Sequence, residues 1–79
     1  MELKAVKSIN LEGVSCPMNF VKTKVAIAEI STGEILEVIL DEGEGILNVP
    51  RSMKEEGHRV LKVINDQNLF HVFFRKGGG

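Results

Sequence analysis

Cys16, the chain's single cysteine, is followed at once by Pro17 and lies in the cluster Glu12-Gly13-Val14-Ser15-Cys16-Pro17. That cluster ends an alternating apolar stretch and precedes a stretch with helical spacing, so a strand-to-helix turn delivers the thiol to a helix N-terminus. The first amides of a helix have no internal partners, and its dipole places partial positive charge there. A thiolate is stabilised at such a spot, and its pKa falls below that of a free thiol. Pro17 removes one amide N–H from the set but fixes the turn. Lys22 and Lys24 add positive charge nearby, Lys22 from more than a turn away. With no second cysteine the thiol cannot close an internal disulfide. It can accept and hand on a sulfur atom as a persulfide, or it can be an inert structural thiol; the residues alone leave both open.

The remaining candidate constellations are weaker. His58 and His71 do not combine with Cys16 at metal-ligand spacing. A Cys-His pair would need a substrate pocket, for which so short a chain leaves little room. Asp41-Glu42-Gly43-Glu44 lacks the ligand pattern of a calcium loop and reads as a solvated turn. Gly43-x-Gly45 lacks the Lys-Ser/Thr of a phosphate loop. No metal and no cofactor is expected.

The elements that must hold the thiol follow from periodicity. Val6 to Leu11 alternates, with Ile9 and Leu11 on one face and Ser8 and Asn10 on the other, which predicts a short strand. From Pro17 to Ile30 the period becomes helical. Phe20, Thr23, Ile27 and Ile30 form a stripe with Ala26 beside it, and Val21, Val25 and Ala28 widen the apolar side, so the helix is expected to be covered over more than one narrow stripe. Pro17 suits the first helical position, and Gly33 a C-terminal cap. Ile35 to Leu40 is almost wholly apolar and reads as a central strand. A second helix is expected to start near Asn48, with Pro50 in its first turn, Val49 and Met53 inward, and Gly57 at its end. Arg59 to Asn65 and Leu69 to Arg75 read as strands joined by Asp66-Gln67-Asn68, a hairpin.

The predicted order is therefore β-α-β-α-β-β, an α/β two-layer sandwich of two helices on one face of a four-stranded mixed sheet. The other face stays open. Phe70 to Phe74 puts large apolar groups on both sides of the last strand. That supports the alternative function for such a chain: a non-catalytic protein-interaction or regulatory module using the open sheet face.

The chain has 79 residues, is 43% hydrophobic and carries net charge −1. One domain with one small core is expected over residues 1–76, with Gly77-Gly78-Gly79 a flexible tail outside it. Near-neutral charge argues against direct nucleic-acid binding or attraction to a membrane surface. No apolar run is long enough for a transmembrane helix, and the charged start is unlike a signal peptide. A lone cysteine points to a reducing, cytoplasmic setting.

The stretch from Ile9 to Lys24, with Gly13-x-x-Cys16-Pro17 at its centre, resembles the signature of the TusA/SirA/YedF family of small sulfur-carrier proteins: Leu-Asp-x-x-Gly-x-x-Cys-Pro-x-Pro-x-x-x-x-Lys. The resemblance continues through Gly33 to Val38, the Asn48-Val49-Pro50-Arg51 segment and Glu56-Gly57-His58-Arg59-Val60. Two positions depart from it. Asn19 stands where the family has its second proline, and Asn10 where it has aspartate, which marks a divergent Cys-Pro-x-Asn branch.

The resemblance implies the same β-α-β-α-β-β sandwich. It implies a sulfurtransferase that works as a carrier without a substrate pocket. Cys16 would take a persulfide sulfur from a cysteine desulfurase or rhodanese-type donor and pass it to a downstream acceptor protein. Pro17, Asn19, Lys22 and Lys24 would support the anion or meet a partner, and Arg51 would serve in docking. Ubiquitin-like sulfur carriers also end in Gly-Gly, but they begin with a β-hairpin, and this chain begins strand-turn-helix.

Overall fold

In the structure, a computed structural model that describes residues 4–15 and 17–77, six elements alternate as the periodicity requires. They are β1 (Lys7–Asn10), α1 (Met18–Ala28), β2 (Ile35–Asp41), α2 (Glu44–Glu55), β3 (Arg59–Asp66) and β4 (Leu69–Arg75). The sheet order is β1-β2-β4-β3. β1 pairs with β2 in parallel, and β4 lies antiparallel to both β2 and β3. The class is the expected one: two helices on a four-stranded mixed sheet.

β2 owes its central place to its apolar run. Leu36, Val38 and Leu40 point into the core and are essentially inaccessible to solvent. The alternate residues Ile35, Glu37 and Ile39 face the open side and are half-buried. Val72 and Phe74 of β4 stand beside that row, and Ala26, Ile27, Val49 and Met53 close it from the helices. Burying a side chain of Phe or Leu size stabilises by about 1.5–3 kcal/mol, so this one cluster carries the fold. On the open face His71 Nδ1 lies 2.7 Å from Glu37 Oε2. Phe73, half-buried, lines a shallow concavity there with Ile64.

Three expectations about the helices need correction. The outer side of α1 is not covered: Val21 and Val25 are 43% and 57% exposed. Among the described residues α2 is the only helix beside α1, and β1 is the sheet's edge, so these valines overhang β1, where they line a concavity with Lys7 and Ile9. Gly33 does not cap α1. The helix ends at Ala28 with Glu29 as its cap, and Gly33, at φ +90°, serves a separate turn closed by Glu34 N–H on the Ser31 carbonyl at 3.0 Å. The Lys76 ammonium lies 2.6 Å from the Ile30 carbonyl, supplying positive charge just beyond the helix end.

The third correction concerns α2, which starts at Glu44 rather than near Asn48. Gly43 is its N-cap at φ +113°, and the supposed turn Gly45-Ile46-Leu47 is its first turn. Pro50 therefore lies inside the helix and leaves the Ile46 carbonyl without its helical donor. Ile46, Val49 and Met53, spaced three and four apart, hold the helix to the core despite that loss.

The hairpin is one residue tighter than expected. Asp66 belongs to β3, and only Gln67 and Asn68 make the turn, with Gln67 at φ +59°. Gly77 is packed against the body: its N–H donates to His58 Nδ1 at 3.0 Å. Gly78 and Gly79 lie outside the described residues.

Candidate functional site

The segment leading to residue 16 is held by four hydrogen bonds. Leu11 N–H donates to the Ile39 carbonyl at 2.8 Å, extending the β1–β2 pairing. Val14 N–H returns to the Leu11 carbonyl at 3.0 Å, closing a β-turn whose third residue, Gly13, sits at φ +80°. A turn of that kind requires positive φ at this position, hence glycine. Asn10 Oδ1 accepts from Glu12 N–H at 2.8 Å, the Asx-turn chemistry of a short amide side chain. Asp41 Oδ2 accepts from Gly13 N–H at 2.6 Å, tying the loop to the end of β2.

Helical winding starts directly after the loop. The Ser15 carbonyl accepts from Asn19 N–H and the Pro17 carbonyl from Val21 N–H, both at 3.1 Å. Pro17, expected as the first helical residue, is the N-cap just ahead of Met18 and is exposed, as are Ser15 and Met18. Cys16 itself falls outside the described residues. Its covalent neighbours fix its place in the chain, between an exposed loop residue and the cap of α1.

Topology adds a second helix start at the same end. β1 and β2 run in parallel, so α1 must run back between them. β2 and β3 are both antiparallel to β4, so α2 runs back as well. Both helices thus begin where β1 and β2 end. The contact is direct: Asn19 Nδ2 lies 3.1 Å from where a Cβ on Gly45 would stand. Between the two helix starts is a cleft of about 200 Å³ lined by Val14, Ser15, Asn19, Asp41, Glu44 and Gly45 among others. Two helix N-termini facing one loop favour negative charge there, and Asp41, Glu42 and Glu44 set the opposing field.

The sequence-predicted residues separate in space. Asn19 is 2% exposed, and its Oδ1 accepts from Phe20 N–H at 2.7 Å, the local backbone bond open to an asparagine in a first turn. Lys22 is exposed beside Val21 and Val25. Lys24 is engaged elsewhere, with its ammonium 3.3 Å from Glu56 and 5.9 Å over the Phe20 ring. Arg51 is exposed on α2, but the helix begins seven residues earlier, so Arg51 lies about 10 Å along the axis from the helix start it was expected to adjoin.

Sequence reasoning missed Asp41 and Gly45. The legible signal was Ile46-x-x-Val49-x-x-x-Met53, which extends the helix back past Pro50 and into the acidic segment. Among the described residues, no group of three His, Cys, Asp or Glu is placed to hold a metal ion, and no helix is long and apolar enough to cross a membrane.

A β-α-β-α-β-β sandwich with a cysteine at the turn into its first helix defines a class of small thiol-bearing α/β domains. Residues 7–76 match the family model described as Sulfurtransferase TusA, and the chain belongs to that family. An Archaeoglobus fulgidus protein that carries the provisional name of sulfur carrier is 40% identical over 62 residues, 78% of this chain and 70% of that one. YedF of Escherichia coli K12, of the same provisional name, is 34% identical over 68 residues, 86% of this chain and 88% of its own. A solved SirA-like protein from Desulfitobacterium hafniense has the same fold, with a TM-score of 0.78 at 22% identity, covering 91% of this chain and 99% of that one.

Proposed function

We propose that this protein is a sulfur carrier that holds its cargo as a persulfide on Cys16. The observation that supports the reading is that Ser15 and Pro17, the chain neighbours of Cys16, lie at the end of the sheet where both helices begin. Helix N-termini favour the thiolate, the form that attacks. The Cys16 thiolate attacks the terminal sulfur of a donor persulfide. A new S–S bond forms on Cys16, the donor's S–S bond breaks, and the donor cysteine leaves as its thiolate. The transferred sulfur keeps its oxidation state, so neither oxidant nor reductant is needed. The same exchange then passes the sulfur to an acceptor thiolate.

A cysteine desulfurase or a rhodanese-type enzyme fits the donor role, and an acceptor protein completes the relay. Exposed Lys22 and Arg51 serve partner docking, while Pro17 and Asn19 shape the turn. Incubation with a cysteine desulfurase and cysteine should add about 32 Da per sulfur, measured on the intact chain by mass spectrometry. The adduct should vanish with dithiothreitol and be absent from Cys16→Ser. No adduct on the parent chain, or one that survives in Cys16→Ser, would sink the reading.

A further inference from the structure

We propose that Asn19 and Gly45 act as a positioning pair. The Asn19 carboxamide, seated against Gly45, holds the first turn of α1 in the conformation that sets the reactivity of the Cys16 thiol. This deepens the carrier reading and rests on it for its biological meaning.

Three observations converge on the pair. Asn19 is a polar side chain almost wholly withdrawn from water, three residues beyond Cys16. Burying an amide is unfavourable unless its geometry is satisfied. Asn19 is tied to its own turn on all sides: its N–H to the Ser15 carbonyl, its Oδ1 to Phe20 N–H at 2.7 Å, and its carbonyl to the Thr23 hydroxyl at 2.8 Å. Any shift of Asn19 therefore moves the first turn of α1, which Pro17 alone separates from residue 16 in the chain.

Gly45 supplies the second observation. It lies in the first turn of α2 and is not among the glycines with positive φ, so its backbone does not require glycine. Glycine is also a poor helix former. What its missing side chain provides is room, since a Cβ would stand 3.1 Å from Asn19 Nδ2 and 3.5 Å from Leu40 Cδ2. The third observation is the cleft, where Asn19 and Gly45 meet beside Ser15, the residue before the thiol. The position of α2 is thereby transmitted through one side chain to the amides at the start of α1.

The pH profile of Cys16 alkylation by iodoacetamide, followed on the full chain alongside thermal melts, tests the pair. Gly45→Ala introduces the crowding without substituting any residue of α1. It should change the thiolate alkylation rate by about threefold or more, or move the titration midpoint correspondingly, with the melting temperature kept or raised. Asn19→Ala should change the profile too. The double variant should match Asn19→Ala, because the carboxamide that the added methyl would crowd is gone. If Asn19→Ala does not fold, Asn19→Ser, which keeps an oxygen but removes the NH2, takes its place.

A Gly45→Ala profile that overlays the parent's overturns the proposal, as do effects that simply add in the double variant. Alkylation needs no sulfur donor. A parent chain that never takes up sulfur would sink the carrier reading and leave the pair standing. Normal loading with unchanged alkylation would sink the pair alone.

Discussion

The Gly13 N–H donates to the Asp41 carboxylate at 2.6 Å across 28 residues of sequence. Through that bond the end of β2 holds the loop that precedes Cys16. Asp41→Ala removes an acceptor with ionic character from a partly solvated site and should lower stability by about 1 kcal/mol. Asp41→Asn, which keeps an oxygen, should recover part of it. Urea unfolding of the three chains gives the comparison, and equal midpoints would show that the bond carries no weight.

Lys22 and Lys24 should behave differently although both follow Cys16 closely. Lys24 already has Glu56 and the Phe20 ring as neighbours. Lys24→Ala should cost under about 1 kcal/mol of stability and leave sulfur loading near the parent rate. Lys22 stands exposed above an apolar concavity. Lys22→Glu should slow loading from a desulfurase by about threefold to tenfold at low salt, less at high salt. Equal loading by both variants would remove Lys22 from the docking surface.

His58 gives the fold a pH dependence of known sign. Burial disfavours its imidazolium and holds its pKa below the usual 6.5; Glu56 pulls it up and Lys76 pushes it down. Its Nδ1 accepts the Gly77 N–H, which a protonated ring cannot do. Between the folded pKa and 6.5 the unfolded chain binds the proton more readily. Stability should fall as pH drops through that window and level off below it. Urea midpoints at about pH 7.5 and about pH 5 should differ more for the parent than for His58→Gln. A difference equal in the two chains would contradict this.

Gln67 turns the β3–β4 hairpin at φ +59°, a region that costs an L-residue with a long side chain. Gln67→Gly should relieve that strain. The unfolded chain becomes more flexible, so the net gain should be about 0.5 kcal/mol. Thermal melts can resolve it, and a loss of stability would mean the Gln67 side chain makes contacts that outweigh the strain.

Much of this architecture was legible from periodicity. The alternation from Val6 to Leu11 and the stripe of Phe20, Thr23, Ile27 and Ile30 with Ala26 beside it translate directly into burial, because both patterns report which side faces the core. The bounds of β4 are those the sequence predicts, since polar turn residues precede it and a basic-glycine tail follows. α2 is longer than its sequence signals suggest. Pro50 resembles a first-turn proline, and the acidic glycine-rich segment before it resembles a turn, while tertiary packing of Ile46, Val49 and Met53 overrides both signals. The thiol turn was legible as chemistry. Its surroundings were not, because Asp41 and Gly45 reach it from across the fold. The burial of Asn19 was hidden for the same reason: helical spacing alone does not show what the other helix lacks.

Gly77 is held by His58 at the opposite end of the sheet from the thiol turn. The seven residues of β2 separate the two ends, about 20 Å of extended chain. The molecule therefore has a natural anchoring point. A tag, a surface linkage or a fused domain attached beyond Gly77 would grip it by its rear, and leave the exposed loop and helix start around Ser15 and Pro17 clear for whatever arrives.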